Sequence, residues 1–257
     1  MIDFNVNDWP APAYIRRAES GLLVPKYEAM LPGFVPAFIG LGSSIAPGSI
    51  TYDTAGTHNF IVPIHNQLVV ELWGAGGGGT GVWVYSNDGD NYVQYEGTDG
   101  GSTRWNGGAA SSRPQANGGG RGRSTGTLGL GGTAVNGDTN TTGQSSQGPS
   151  SGAGGAGANG GAGGAYTGGL MNVPGAAGSP PGGGGASGLH FTGGWSTDGY
   201  GRGGGGGGYC LKTYLAGVYA VGASIPVVVG APGNGGPAGS GRAGGPGAVG
   251  RARISWS

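Results

Sequence analysis

Residues 201–210 read GRGGGGGGYC and contain six consecutive glycines, at 203–208. Because glycine has no Cβ, such a run is either a flexible linker or a place where any side chain would keep neighbouring backbones apart. Linkers are rarely interrupted by single Tyr, Trp and Leu residues, whereas the glycine-rich runs of this chain alternate with segments that contain them. We therefore expect residues 203–208 to lie in the interior of a packed structure.

A three-residue period marks the longest glycine-rich runs. In residues 154–165, GGAGANGGAGGA, every triplet begins with glycine, at Gly154, Gly157, Gly160 and Gly163. Residues 233–250 repeat in the same way, and most of their side chains fall in one column. Collagen is excluded, because it needs a long uninterrupted Gly-X-Y period with abundant proline.

The period of three predicts extended helices with polyproline II geometry, which have three residues per turn and no internal hydrogen bonds. When such helices are buried, their N–H and C=O groups must bond neighbouring helices. Glycine on two or three faces lets the helices approach closely enough to do so. A helix with glycine on all faces, as at 203–208, suits the interior of the bundle.

Four segments outside these runs have the composition of β-strands: HNFIVP (58–63), QLVVELW (67–73), SIPVVVG (224–230) and AVGRARISW (248–256). In the last of them, arginine and serine alternate with Ala252, Ile254 and Trp256, which predicts a half-buried strand. We expect this C-terminal strand, within 249–257, to pair with the strands near 57–73. The glycine-rich region would then be closed by a sheet at its base.

The N-terminal region carries much apolar surface but little regular pattern, because five prolines interrupt it between residues 10 and 36. A short helix over about residues 13–20 is the most that we expect there. Only six of the 68 glycines precede residue 74. We therefore divide the chain into residues 1–73 and 74–257. The apolar N-terminal residues form either a private core or a docking face for another protein.

Composition excludes several classes of function. Charged residues make up 9% of the chain and the formal net charge is zero, so strong binding to nucleic acid is not expected. No stretch approaches the roughly 18 consecutive apolar residues of a membrane span, and the first residues lack the features of an export signal. The chain has one cysteine, Cys210, which we expect to be buried, and three histidines without zinc-site spacing. We expect no metal and no cofactor.

Motifs for catalysis do not fit their surroundings. The GAGGGG of residues 74–79 matches a dinucleotide-binding pattern, but the residues after it do not predict a helix. The GRSTG and GPSSG matches at 122–126 and 148–152 lack the strand–turn–helix context of a serine nucleophile. The acidic residues near 88–99 are more typical of a solvated surface cluster than of a catalytic acid–base pair. We expect no catalytic residues and no enzyme.

The segments between the glycine-rich runs combine aromatic residues with Ser, Asn, Asp and Gly, as antibody loops do. Such loops on a rigid support usually carry binding function. The alternative is that the aromatic side chains cover the ends of a scaffold without an aliphatic core. For Tyr209, Tyr214 and Tyr219, which lie near a strand, we favour this covering role.

The order of these features resembles the receptor-recognising adhesin at the tip of the long tail fibre of T-even-like bacteriophages. The resemblance covers essentially the whole chain and depends on the succession LWGAGGGG, GGGRGR, GAGGAGANGGAGG, PPGGGG, GRGGGGGGY and GAPGNGGPAG. It implies a sandwich of packed polyglycine II helices capped by loops, with little α-helix. A small mixed attachment region with strands, closed by the C-terminal strand, would hold the adhesin on the fibre.

The resemblance also implies the partners and the site residues. One copy would cap the trimeric distal fibre subunit, on a virion assembled in the host cytoplasm, and bind a porin-like outer-membrane protein or, alternatively, lipopolysaccharide. We expect that it binds no nucleic acid and inserts into no membrane. Candidate loops are 82–116, 127–147, 165–177, 187–200 and 209–223. Candidate receptor contacts are Trp83, Tyr85, Tyr92, Tyr95, Trp105, Tyr166, Met171, His190, Phe191, Trp195 and Tyr200. Candidate fibre contacts are Phe4, Trp9, Tyr14, Ile15, Leu22, Leu23, Tyr27, Met30, Leu31, Phe34 and Phe38. Structural glycines are Gly154, Gly157, Gly160, Gly163, Gly203, Gly204, Gly205, Gly206, Gly207 and Gly208.

Other functions stay open. A glycine-rich structural cap of the fibre would have no receptor contact of its own. An RNA-binding protein would use Arg121 and Arg123, in the GRGRS of residues 120–124, in a salt-sensitive way. A depolymerase would need a pair of carboxyl groups acting as acid and base, and the sequence offers no credible one.

Overall fold

The computed structural model describes residues 16–17, 23–24, 46–84, 92–124, 127–147, 152–166, 173–188, 201–238 and 242–257. The chain forms two compact units, Met1–Ser44 and Ile45–Ser257. In the first unit, the described residues are two short antiparallel strands, β1 (Arg16–Arg17) and β2 (Leu23–Val24). The elements that follow belong to the second unit.

Antiparallel strands dominate the regular structure of the second unit. Their bounds are β3 Gly48–Tyr52, β4 Gly56–Ile61, β5 Gln67–Trp73, β6 Gly81–Val84, β7 Tyr92–Tyr95, β8 Thr103–Trp105, β9 Gln115–Ala116, β10 Ala134–Val135, β11 Thr139–Thr141, β12 Tyr209–Leu215, β13 Ser224–Val229 and β14 Arg251–Trp256. One sheet has the order β11-β12-β5-β14-β3 and another the order β10-β9-β8-β13-β4. Strands β6 and β7 form a separate pair. In the described residues, helix is limited to a single 3₁₀ turn at Ala110–Ser112, so the expectation of little α-helix is confirmed.

The strands predicted near 58–63, 67–73, 224–230 and 248–256 are all present, as β4, β5, β13 and β14. The C-terminal strand β14 pairs antiparallel with β5, from Arg251 opposite Trp73 to Trp256 opposite Leu68. The predicted closing pair is therefore confirmed. Ala252 and Ile254 of β14 are buried, as their alternation with polar residues indicates.

The two five-stranded sheets enclose one hydrophobic core. Buried side chains from both sheets form a single cluster: Phe60, Val62, Leu68, Val70, Leu72, Trp105, Ala116, Cys210, Ile225, Val227, Val229, Ala252 and Ile254. Thr103 ties the sheets together where they meet the glycine-rich segments. Its Oγ1 donates to the carbonyl of Trp73 at 2.6 Å and accepts from the N–H of Gly230 at 3.1 Å. The core therefore lies in this β-sandwich.

Trp105 is the largest fully buried side chain of this core. Its ring lies 5.6 Å from that of Phe60 and 5.8 Å from that of Tyr219, and its Nε1 donates to the Tyr219 hydroxyl at 3.0 Å. The prediction that Trp105 contacts a receptor is therefore wrong, because its side chain has no exposed surface. Tyr214 and Tyr219, which we expected to cover the ends of a scaffold without an aliphatic core, instead pack against Trp105 and the core of the sandwich.

The glycine-rich segments adjoin this sandwich, and we call them together the glycine body. It consists of residues 74–80, 97–101, 117–124, 127–133, 142–147, 152–166, 173–188, 201–208, 230–238 and 242–250. These segments contain almost no strand and no helix. Their backbone hydrogen bonds run mainly from one segment to another. The glycine body is thus held together by its backbone and not by an apolar core.

Segment 74–80 shows how the hydrogen bonds are arranged. Its N–H groups donate to segments 201–208, 97–101 and 242–250 in turn, and the pattern repeats every three residues. Its C=O groups accept from segments 117–124, 230–238 and 173–188 with the same repeat. The first set includes the pairs Gly74–Gly208, Gly77–Gly205 and Thr80–Arg202, at 2.9 to 3.0 Å. Successive residues therefore face different neighbours, and six segments surround this one.

Residues 203–208 are surrounded in the same way. Their partners lie in segments 74–80, 117–124, 127–133, 142–147, 152–166 and 173–188. All six glycines are buried. A Cβ placed on any of them would come within 3.0 Å of a backbone atom of another segment, a distance that real Cβ atoms essentially never show. The expectation that this run lies in the interior is confirmed.

The triplet repeat of residues 154–165 does not form one continuous segment. The chain turns at Ala158 to Gly160, where Asn159 has a φ of +48°. The two arms run antiparallel, with bonds from Gly154 N to Gly164 O at 3.0 Å and from Gly157 N to Gly161 O at 3.0 Å. The repeat passes through the turn because both arms need glycine where neighbouring backbones approach.

Two predictions for the N-terminal half differ from the structure. The short helix expected near 13–20 is wrong at Arg16 and Arg17, which form strand β1. The rest of that helix lies outside the described residues. The two units divide after Ser44, whereas we predicted a boundary after Trp73. The reason is that β4 and β5 pair with strands from the C-terminal half and cannot be separated from them.

Asp138 closes the connection between β10 and β11, and its contribution to stability should depend on pH. Its carboxylate accepts bonds from Lys212 Nζ at 2.6 Å and Thr213 N at 2.8 Å, which lower the pKa of Asp138. A lowered folded-state pKa gives stability that is present above the unfolded value, near 3.9, and is lost as the pH falls through the folded value. Because the side chains of Lys212 and Asp138 are 32% and 43% exposed, solvent screens the pair, and we expect Asp138→Asn to lower the free energy of unfolding by less than about 1 kcal/mol at neutral pH.

Urea unfolding of the wild type and Asp138→Asn at pH 7 and at about pH 3 measures this contribution. The difference between the two proteins should shrink at the lower pH, where the wild-type carboxylate begins to protonate. A difference that stays the same at both pH values would show that the ionised carboxylate is not the stabilising group.

Candidate functional site

The glycine body has a sheet end and a far end. At the sheet end its segments continue directly into β5, β12 and β14, at residues 73–74, 208–209 and 250–251. At the far end lie the described residues that flank six gaps, which are 85–91, 125–126, 148–151, 167–172, 189–200 and 239–241. The described residues on both sides of each of these six segments therefore lie at one end of the glycine body.

Backbone hydrogen bonds bring these flanking residues together. Thr80 is central: its N–H donates to Arg202 O at 2.9 Å, and its carbonyl accepts from Gly188 N at 2.8 Å. The Thr80 hydroxyl accepts from Arg202 N at 2.8 Å. Since residues 188 and 201 flank one gap, these bonds hold both ends of that gap against the same residue. A Cβ on Gly201 would lie 3.4 Å from the carbonyl oxygen of Gly188, so the two ends are adjacent.

The other flanking residues are joined to this group in the same manner. Val82 and Arg242 exchange two backbone bonds of 2.8 Å. The remaining links, each a single backbone bond, are Ser187 N to Gly152 O at 2.8 Å, Gln147 N to Ala153 O at 3.2 Å and Gly175 N to Ala243 O at 2.9 Å. The far end is therefore a platform in which several of the segments that flank the gaps are joined to one another by backbone hydrogen bonds.

Arginines distinguish the far end from the rest of the glycine body. Arg121 donates from Nε to Glu96 Oε2 at 2.8 Å and lies 3.9 Å from Asp99. Arg202 and Arg242 each have a buried Nε that bonds no residue of the described chain.

Two predicted receptor contacts have described side chains at the far end. Tyr95 is half-buried and belongs to β7, and Tyr166 is half-buried in a hollow that Gln147 and Ala153 also line. The backbones of Trp83 and Tyr92 lie in the paired strands β6 and β7, which extend from this end. Tyr85, Met171, His190, Phe191, Trp195 and Tyr200 lie outside the described residues.

The five candidate loops do not share one end. Parts of three of them are built into the sandwich, because residues 103–116 form β8 and β9, residues 134–141 form β10 and β11, and residues 209–215 form β12. These parts lie at the sheet end. The candidate loops 165–177 and 187–200, and the residues after β6, begin and end at the far end.

The structural glycines keep their predicted role. A Cβ on Gly154, Gly157, Gly160 or Gly163 would come within 3.0 Å of a carbonyl oxygen of another residue. Of the candidate fibre contacts, Leu23 has a described backbone, in β2. The others lie outside the described residues, so the fibre-binding role stays a prediction.

The described residues contain no group of three or more His, Cys, Asp or Glu side chains that could hold a metal ion. Among the described residues, no helix is long and apolar enough to cross a membrane. Cys210 is buried, and burial raises the pKa of its thiol to about 11. The neutral thiol is a poor nucleophile, so Cys210 packs as a small apolar residue.

Sequence reasoning missed the residues that organise the far end. We predicted no role for Thr80, Arg202 or Arg242, because each is a single residue beside a glycine run. A signal was present for Thr80 and Arg202. Each interrupts a glycine segment at the end away from the strands, where the chain leaves the glycine body.

No protein-family model, no curated protein and no solved structure matches this chain.

Proposed function

We propose that this chain is the receptor-binding adhesin at the tip of a bacteriophage long tail fibre. It would bind an outer-membrane protein of a Gram-negative host. The far end supports this proposal, because the residues that flank six segments of the chain lie together there on a support of buried, hydrogen-bonded backbone. Most of the candidate receptor contacts lie in or beside the segments that join these ends.

We also propose that the glycine body is a bundle of polyglycine II helices. Three observations support it: the three-residue repeat of hydrogen-bond partners, the six neighbours around segment 74–80, and the close approach of backbones at the buried glycines. A helix with three residues per turn and no internal hydrogen bonds accounts for all three. An α-helix or a flat sheet would give a repeat of 3.6 or of two residues.

Recognition would be reversible and would involve no chemistry. Aromatic residues such as Trp195 and Phe191 would fill crevices between the extracellular loops of the host protein, and the surrounding polar residues would fix the register. Holding both ends of each segment on a rigid support reduces the ordering cost of binding. Several fibres on one virion would convert a modest affinity into strong attachment.

The N-terminal apolar residues would attach one copy of the chain to the trimeric distal fibre subunit. The protein would then be a virion component that is assembled in the host cytoplasm. It would use no cofactor and no metal, bind no nucleic acid and insert into no membrane. A porin-like protein is the first receptor to test, and lipopolysaccharide is the alternative.

Replacement of residues 189–200 by a Gly-Ser dipeptide tests the proposal directly. Because residues 188 and 201 are adjacent, a short link should join them without moving the glycine body. We expect the melting temperature to stay within a few degrees of the wild type. Capture of an outer-membrane protein from a panel of enterobacterial envelopes, by the chain together with its fibre tip, should be lost. The substitutions Phe191→Ala and Trp195→Ala should reduce capture at least tenfold, since aromatic hot spots contribute about 2 kcal/mol or more each.

The matched control changes exposed apolar residues at the sheet end. Leu215→Ser and Val221→Ser alter side chains that are 68% and 60% exposed, and the control should keep full capture. If no envelope yields a captured protein while the chain is folded and fibre-bound, the protein is a structural cap of the fibre. Capture of lipopolysaccharide alone would replace the protein receptor by a glycolipid one.

A further inference from the structure

A polar cleft lies on the β-sandwich, remote from the far end. It has a volume of about 610 Å³ and is lined by residues 107–108, 111–114, 136–137, 212, 214 and 218–219. This volume falls within the range of pockets that hold small molecules, roughly 300–1,000 Å³, and is much larger than a single phosphate needs. The function proposed above does not use this cleft.

The walls of the cleft are held in place by Asn136. Its backbone has a φ of +62°, in the left-handed region that few residues other than glycine adopt. Its side-chain amide donates to Ser111 O at 3.2 Å and to Arg113 O at 2.9 Å. These bonds join the β10–β11 connection to the 3₁₀ turn on the opposite wall. The cleft is therefore pre-organised, which lowers the cost of binding a ligand.

Several hydrogen-bond donors that line the cleft have no partner in the described chain. Arg113 Nε donates to Gly108 O at 2.7 Å, while its two terminal nitrogens bond no residue of the described chain. The N–H groups of Gly107 and Gly108 also have no hydrogen bond within the described chain. Both amide hydrogens of Asn136 are used, so its Oδ1 is left as an acceptor. A ligand that fits this set is rich in oxygen acceptors.

The charge of the cleft suits a single negative group. Lys212 lies 2.6 Å from Asp138, which neutralises it. Arg113 has no acidic partner in the described chain, so the cleft keeps one net positive charge. Guanidinium groups bind carboxylates through two parallel bonds. Nucleoside diphosphates and triphosphates carry more negative charge than this cleft balances.

An apolar wall completes the cleft. Tyr214 and Tyr219 lie with ring centroids 5.0 Å apart, and Val218 beside them is 55% exposed. Position 107 beside this wall has no room for a side chain, because a Cβ there would come 2.6 Å from both Trp105 Nε1 and the Tyr219 hydroxyl. Aromatic walls with a few fixed polar groups are typical of sites that bind the apolar face of a ring and orient it by its polar edge.

We propose that this cleft binds an acidic saccharide, of one or two sugar units, that carries one carboxylate. The guanidinium of Arg113 holds the carboxylate. The sugar hydroxyls bond Asn136 Oδ1 and the serine hydroxyls, and the ring packs on Tyr214 and Tyr219. The site is separate from the far end, so it stands or falls independently of receptor capture there.

Calorimetric titration of the full chain tests the proposal with three probes: a glucuronic-acid disaccharide, a neutral disaccharide of equal size and inorganic phosphate. We expect the acidic disaccharide to bind at least tenfold more tightly than either of the others. Arg113→Gln should weaken it at least tenfold. Arg253→Gln is the control, because Arg253 is exposed and pairs loosely with Glu71 at 3.9 Å, outside the cleft.

Each other outcome would overturn the proposal. Equal binding of phosphate would reduce the cleft to a general anion site, and equal binding of the neutral sugar would remove the role of Arg113. Absence of binding by all three probes would exclude a saccharide of this class. If Arg113→Gln fails to fold, Arg113→Lys keeps the charge but loses the two-pronged geometry and should weaken binding of the acidic sugar severalfold.

Discussion

Replacement of Gly204 by alanine is expected to lower the free energy of unfolding by about 4 kcal/mol or more, a large share of the roughly 5–15 kcal/mol that stabilises a typical domain. The added Cβ would come within 3.0 Å of the carbonyl group of Gly77, and that neighbour is backbone, which cannot move aside alone. Segments 201–208 and 74–80 would have to separate. Their bonds, among them Gly77 N to Gly205 O at 3.0 Å, would lengthen. Each buried bond that breaks costs about 1–3 kcal/mol, in addition to about 1–3 kcal/mol for overpacking.

Urea unfolding followed by tryptophan fluorescence measures this effect. Two matched controls separate it from the general effect of adding a methyl group. A Cβ on Gly108 meets nothing nearer than Ser112 Oγ at 3.7 Å, and Ala162 is an exposed residue of the glycine body. Gly108→Ala and Ala162→Val should each change stability by less than about 0.5 kcal/mol. If Gly204→Ala is no more destabilising than these controls, the glycine body is not close-packed.

Trp105→Ala is expected to lower the free energy of unfolding by about 3–5 kcal/mol, as for other large core residues cut back to alanine. The indole fills the space between Phe60, Tyr214 and Tyr219. Its loss would leave a cavity in the middle of the sandwich. The Tyr219 hydroxyl would also lose the donor that it has at 3.0 Å.

Trp105→Phe keeps a ring but removes the indole nitrogen, so the expected loss is smaller, about 1–2 kcal/mol. Chemical unfolding of the two variants gives the order directly. Receptor capture per folded molecule should be unchanged in both, because Trp105 has no exposed surface. Reduced capture by a fully folded Trp105→Phe would return this residue to the list of contacts.

The strands and the interior of the glycine body could be predicted from the sequence because both depend on local patterns. Alternation in 251–256 reports which side of β14 is buried. An unbroken glycine run at 203–208 reports that no side of that segment has room for a Cβ. In each case one residue type at one spacing carries the information.

Trp105 was misassigned for a physical reason. It lies among Thr, Arg, Asn and Gly, the composition of an exposed loop. Its burial comes from β13, to which β8 pairs at Val227, and from Tyr214 of β12 and Tyr219 of the β12–β13 connection, both more than a hundred residues later in the chain. No local pattern reports contacts over that separation.

The far end was beyond sequence reasoning for a similar cause. The three-residue repeat predicts that segments pack, but it does not say which segments are neighbours or which way each one runs. That information lies in pairs such as Thr80 with Arg202 and Val82 with Arg242. The turn at Asn159 was hidden because the repeat passes through it unchanged.

The adjacency of residues 188 and 201 has a consequence for engineering. The backbone holds these two ends together whatever the length of the chain between them. The free-energy cost of closing a loop rises by only about 0.6 kcal/mol for each doubling of its length. Peptides of very different length should therefore be accepted there with a similar loss of stability. We therefore expect foreign peptides to be exchangeable as cassettes between residues 188 and 201 while the support stays constant.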